Sequence, residues 1–144
     1  MYKNILIPTD GSELSLKAVR LGIALAKFMG AKVMALTVRS PMREVVAEGV
    51  SFPVPESYRK AYIEEVDHHL DSARKEAADA GITLETRQVE SDEPWKAITA
   101  AAKAQNIDLI VMASHGRCGV SALLIGSETQ KVLTHSAVPV LVYR

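Results

Sequence analysis

Cysteine occurs once, at Cys118, so no disulfide can form within the chain, and the sequence suits a reducing compartment. Net charge is missing as well, because 17 Lys and Arg balance 17 Asp and Glu. A duplex-binding domain usually carries a basic excess, so nucleic acid is not expected as the main partner. No apolar run approaches the roughly 20 residues that a membrane helix needs. The opening Met1-Tyr-Lys-Asn passes directly into Ile5-Leu6-Ile7, which reads as a strand start and not as a secretory leader. The expectation is a cytoplasmic protein with no membrane partner.

What is present is ordinary for a folded domain. The chain has 144 residues, 48% of them hydrophobic and 24% charged, which places it outside the disordered class and within one domain, residues 1–144. Folding at this length buries roughly two-thirds of the surface of the extended chain, so neither a disulfide nor a metal is required to hold it.

Strand and helix patterns alternate throughout. Asn4-Ile-Leu-Ile-Pro8 is a short apolar run of the kind that suits a strand covered on both faces. Leu14, Ala18, Leu21, Leu25 and Phe28 then recur at helical spacing, with Ser12 as N-cap and Gly30 at the C-terminal end. Lys32 to Val38 forms a second strand. Residues 39–57 hold Pro41, Gly49, Pro53 and Pro55 and read as an irregular loop. A long helix from about Glu56 to Ala80 carries Tyr62, Val66, Leu70, Ala73 and Ala77 on one side and ends at Gly81. Ile82 to Val89 is a third strand near a sheet edge, followed by an alanine-rich helix from Trp95 to Gln105. Asp108 to Ala113 is the fourth strand, a last helix spans about Ser127 to His135, and Val138 to Tyr143 is the fifth strand. This order specifies a doubly wound α/β domain, a parallel sheet with helices on both faces.

Ligands of such sheets bind beyond the carboxyl ends of the strands, where the strand order reverses. Two junctions have suitable content: Pro8-Thr-Asp-Gly-Ser12, and Ala113-Ser-His-Gly-Arg-Cys-Gly119 continuing to Ile125-Gly-Ser-Glu-Thr129. Glycine lets backbone approach a phosphate closely, and a helix opening near Ser127 offers free N–H groups to an anion. Ser127 and Thr129 add hydroxyls. Asp10 is suited to ribose hydroxyls or to a phosphate-bound Mg²⁺. The same glycines could instead shape turns and caps, since neither Gly-x-x-x-x-Gly-Lys-Ser/Thr nor Gly-x-Gly-x-x-Gly is present.

The opening strand ending in Pro-Thr-Asp-Gly-Ser, the segment Val111-Met-Ala-Ser-His-Gly-Arg, the Gly126-Ser127 helix start and the closing Pro139-Val-Leu-Val together resemble the universal stress protein family over the whole chain. The resemblance implies a five-stranded parallel sheet in order 3-2-1-4-5, which brings the two junctions face to face. Members that bind ATP carry Gly-x-x-Gly, nine residues, then Gly-Ser or Gly-Thr. Here Gly116, residues 117–125 and Gly126-Ser127 fit, while Ala113 stands at the first glycine and puts a methyl group where backbone would approach the ligand. The resemblance further implies Pro8, Thr9 and Asp10 against adenosine and Val38 beside adenine. Met112 and Ala113 would line the pocket, and Gly116, Arg117, Gly126, Ser127 and Glu128 would surround the phosphates. The ligand would be ATP, or AMP or ADP, with Mg²⁺ accompanying the nucleotide.

Other residues have plain readings. Asp10 also suits a turn or helix cap, and His115 positions a loop. His68 and His69 point apart on a helix and form no i, i+4 metal pair. Cys118 reads as a small loop residue despite its cationic neighbour Arg117, and Trp95 as a core anchor. Pro139 places the last strand at a sheet edge. Pairing Val138–Tyr143 with its counterpart in a second copy would cover that edge and make a homodimer. Three functions remain open: a nucleotide-responsive stress protein acting on unidentified protein partners, a dimeric scaffold of the same fold that binds no nucleotide, and an enzyme such as a slow ATPase. No nucleophile–base set is recognisable, so a non-enzymatic protein is expected, with no catalytic residues.

Overall fold

The structure, a computed structural model, describes residues 1–117 and 124–144. Five strands make one parallel sheet: β1 (Asn4–Pro8), β2 (Lys32–Arg39), β5 (Leu84–Glu90), β6 (Leu109–Ala113) and β7 (Val140–Tyr143). Their spatial order is β5-β2-β1-β6-β7, which is the expected 3-2-1-4-5 once the short pair β3 (Val45–Ala47) and β4 (Val50–Phe52) is set aside. The chain winds outward from β1 through β2 to β5, then crosses to β6 and β7. Strands β1 and β6 therefore flank the point where the winding reverses, in the register Ile5 to Leu109 and Leu6 to Ile110.

Strand residues alternate between two cores, as the pleat demands. Ile5, Ile7, Val33, Ala35, Leu109 and Val111 pack beneath α1 (Glu13–Met29) and α3 (Asp71–Ala80), joined by Val19, Ile23, Leu70, Ala73 and Ala77. On the opposite face Leu6, Met34, Leu36, Ile110 and Met112 pack with Ile98 and Ala102 of α4 (Pro94–Ala104) and Val132 of α5 (Ser127–His135). Covering both faces explains the unbroken apolar runs of β1 and β6. Helix α1 comes closest at Gly22, where a methyl group would collide with the side chain of Ile7.

Helix α1 has the expected caps, Ser12 accepting from the Ser15 amide and Gly30 in the left-handed region. Phe28, which the helical spacing put on its apolar stripe, is instead 84% exposed, because the face that α1 buries runs through Ser15, Ala18, Val19, Gly22, Ile23 and Ala26, to one side of the expected stripe. The presumed helix 56–80 is two, α2 (Glu56–Asp67) and α3, joined by a 3₁₀ turn at His68–Leu70. No Gly or Pro marks that change, and the burial of Val66, Leu70, Ala73 and Ala77 runs through it.

The stretch 39–57 contains a small antiparallel hairpin, β3 (Val45–Ala47) and β4 (Val50–Phe52). Its two turn residues, Glu48 and Gly49, both have positive φ, the twist that tight hairpins require. The last strand begins at Val140 and not at Val138. Ser136 Oγ accepts the Val138 amide and donates to the Val138 carbonyl, so that residue is engaged in a turn. Strand β7 does lie at the sheet edge, and β5, with exposed Glu85, Arg87 and Glu90, forms the other. Among the described residues, no helix is long and apolar enough to cross a membrane.

Candidate functional site

The β1–α1 turn is held by its own side chains. Thr9 N donates to Leu36 O at 2.9 Å, and Thr9 Oγ1 lies 3.0 Å from Ser15 Oγ. Gly11 takes φ +74°, and a side chain there would press on His69 and on the Arg117 guanidinium. One oxygen of Asp10 accepts the Ser12 amide at 3.0 Å, and the other accepts the Arg117 amide at 2.7 Å. The second bond ties the end of β1 to the segment that follows β6.

That segment is closed at its neck, where Gly126 N donates to Ser114 O at 2.7 Å while Ser114 N donates to Tyr143 O. Gly126 is closely packed here, since a methyl group on it would meet His115 and the Ser114 carbonyl at 3.3 Å. Helix α5 opens directly afterwards, with Gly126 as N-cap and no side chain capping it. Its first-turn amides are the kind of donors an anion uses. Thr129 Oγ1 donates to Ala113 O at 3.0 Å and fixes this helix to the end of β6.

Between these walls lies a cavity of about 370 Å³, within the size range of small-molecule sites. Every one of Pro8, Thr9, Asp10, Val38, Met112, Ala113, Gly116, Arg117, Gly126, Ser127, Glu128 and Thr129 lines it. Sequence reasoning missed Ser15, Leu36, Pro94, Ile98 and His115, which line it too. Leu36 and Ile98 belong to the core beneath α4 and reach the cavity where that core ends. Cys118 and positions 119–123 of the nine-residue spacer lie outside the described residues.

Ala113, where the family pattern has glycine, is the last residue of β6 and only 7% exposed. Its φ is not positive, so the strand accepts alanine without strain, and its methyl forms part of the cavity floor. Glu128 lines the cavity but directs its carboxylate elsewhere: one oxygen accepts the Trp95 amide and the other Lys131, each at 3.0 Å. It thereby caps α4, whose own N-cap residue, Glu93, makes no side-chain capping bond. Trp95 packs at the margin of the same core, its ring 4.3 Å from that of His135.

The lining is of two kinds. Leu36, Val38, Ile98 and Met112 belong to one apolar cluster. Asp10, Gly116 and Arg117 are in contact with one another, and Ser127 opens α5. Burial alone would raise the Asp10 pKa, but hydrogen bonds from Ser12, the Arg117 amide and Ser15 outweigh it and hold the carboxyl below its usual value. The pKa of His69, behind Gly11, is lowered as well, by burial and then by the Arg117 cation. An apolar slot opening onto amides and one guanidinium suits a flat ring carrying an anionic tail.

The pattern that describes the universal stress protein family matches residues 1–144. A universal stress protein of Methanocaldococcus jannaschii is 35% identical over 146 aligned positions, covering 100% of this chain and 83% of that protein. Among solved structures, hypothetical protein MJ0577 of the same organism, also a universal stress protein, superposes with a TM-score of 0.79 at 27% identity, covering 99% of this chain and 96% of the other. A universal stress protein in complex with cAMP superposes with a TM-score of 0.71, also at 27% identity, covering 99% and 97%. The two junctions, the strand order and these full-length likenesses agree, and the chain belongs to the universal stress protein family.

Proposed function

We propose that this protein binds an adenine nucleotide, ATP in the first instance and AMP or ADP as relatives of it, in the crevice between β1 and β6. The nucleotide then alters contacts with other proteins in a stress response. The observation that carries this reading is that one cavity is lined both by an apolar cluster, Leu36, Val38 and Met112, and by the polar group Gly116, Arg117 and Ser127. The related universal stress protein in complex with cAMP supports adenine as the ring that the slot accepts.

In this reading Pro8, Thr9 and Val38 border the adenosine, and Met112 and Ala113 form the floor. Gly126, Ser127 and Thr129 present the α5 terminus to the phosphates, and Arg117 supplies the cation. Each oxygen of Asp10 accepts one backbone amide and keeps a further lone pair, so Asp10 would meet Mg²⁺ only where the ion travels with the nucleotide. Among the described residues, the carboxylate at the polar end, Asp10, is engaged by two backbone amides, which supports regulation over catalysis, with any hydrolysis slow. We place the protein in the cytoplasm, as one domain that dimerises through β7.

Titration calorimetry with ATP and Mg²⁺ tests the proposal. Heat that saturates with one nucleotide per chain supports it; no heat at near-millimolar ligand overturns it in favour of a scaffold. Multiple-turnover release of ADP, abolished by Ser127→Ala, would overturn the regulatory reading in favour of an enzyme.

A further inference from the structure

Gly116 is the second glycine of the nucleotide pattern, a position where small size is read as room for a phosphate. Its neighbours point to another reason. A methyl group built there would collide with Asp10 Oδ2 and sit 3.3 Å from Asp10 Cγ; among the described residues, no other heavy atom beyond its chain neighbours lies within 4 Å. Its φ is not in the left-handed region, so conformation does not demand glycine either. The same Oδ2 accepts the Arg117 amide at 2.7 Å, across 107 residues of sequence.

We propose that Asp10 and Gly116 form a latch that sets the ligand loop before any nucleotide arrives. The Asp10 carboxylate fills the space that a side chain at 116 would take, and from there it grips the Arg117 amide. Gly116 is small for the carboxylate and not for a phosphate. Asp10 is accordingly a positioning residue. With the Arg117 amide engaged by the protein's own anion, a ligand phosphate is received at the other neck of the loop, at the start of α5. The lowered pKa of Asp10 accords with a carboxylate that stays charged to accept these amides.

The test is a double-mutant cycle of Gly116→Ala and Asp10→Ala, read by calorimetry with ATP and Mg²⁺ and by melting temperature without ligand. In the wild-type background Gly116→Ala is expected to weaken ATP binding about tenfold and to lower the melting temperature. In the Asp10→Ala background it changes affinity by less than about twofold and leaves melting unaltered, a non-additivity typical of residues in contact. Asp10→Asn, which keeps the shape and an acceptor, retains the sensitivity to Gly116→Ala. An equal loss from Gly116→Ala in both backgrounds overturns the latch, because the conflict would then be with the ligand or with other protein atoms. If Gly116→Ala alone fails to fold, recovery of folding by Asp10→Ala supports the latch, and failure in both backgrounds overturns it. The ligand arm rests on the nucleotide reading. If wild type binds no ATP that reading fails, and the melting arm still decides the latch.

Discussion

The hydroxyl of Thr129 donates to the main-chain carbonyl of Ala113 at 3.0 Å, and both residues are buried. This bond fastens the first turn of α5 to the last residue of β6, so the two parts of the polar wall move together. Thr129→Val keeps the shape and removes the donor, leaving a buried carbonyl short of a partner. It should destabilise the fold by about 1–3 kcal/mol, measured by urea denaturation, and Thr129→Ser should recover most of the loss. Equal stability of the valine variant would contradict the role assigned to this bond.

Ala113→Gly restores the residue that the ATP-binding pattern carries. Because Ala113 occupies an ordinary strand conformation, the exchange should alter ATP affinity by no more than about threefold. It should also cost about 0.5–1 kcal/mol of stability, the usual penalty for glycine inside a regular element. A gain in affinity of a hundredfold would show that the methyl group obstructs the ligand.

How far the site could be read from sequence depended on the kind of residue. Asp10, Gly116, Gly126 and Ser127 stood out because they lie beyond the strand ends where such sheets bind ligands and because they carry the family resemblance. Leu36 and Ile98 did not, since a residue that lines a pocket floor and one that fills a core obey the same periodicity. The break at His68–Leu70 was equally silent, for a 3₁₀ turn needs no special residue when its neighbours stay buried. The hairpin at 45–52 was hidden by the three prolines around it, although Glu48-Gly49 was its turn signal. Strand order could not be derived from periodicity, which is local; it came through the family resemblance and agrees with the pairing of β1 with β2 and β6.

Acidification should release the latch at Asp10. Its carboxyl is held below the usual aspartate value in the folded protein, so its contribution is complete above the unfolded value of about 3.9 and is lost as pH falls through the folded one. The stability gap between wild type and Asp10→Asn should therefore be constant from neutrality down to about pH 5 and should close below about pH 4. Denaturant titrations at a series of pH values would show this. A gap that closed between pH 5 and 7 would contradict the sign of the shift.

Strand β7 forms one edge of the sheet and leaves Leu141 39% exposed. If a second copy covers this edge, Leu141→Lys should place a charge in the interface and convert a dimer into a monomer. Light scattering coupled to gel filtration measures this directly. A monomeric wild type, or a lysine variant that remains dimeric, would rule out β7 as the interface.

The central claim is that adenine nucleotide occupies the crevice between β1 and β6, and amide NMR during titration with ATP and Mg²⁺ tests it most directly. The account predicts saturable shifts at Asp10, Val38, Ala113, Gly126, Ser127 and Thr129, with the hairpin turn at Glu48-Gly49 and the β5 edge at Glu85 and Arg87 unchanged. Shifts confined to other surfaces, or none at near-millimolar nucleotide, would contradict it.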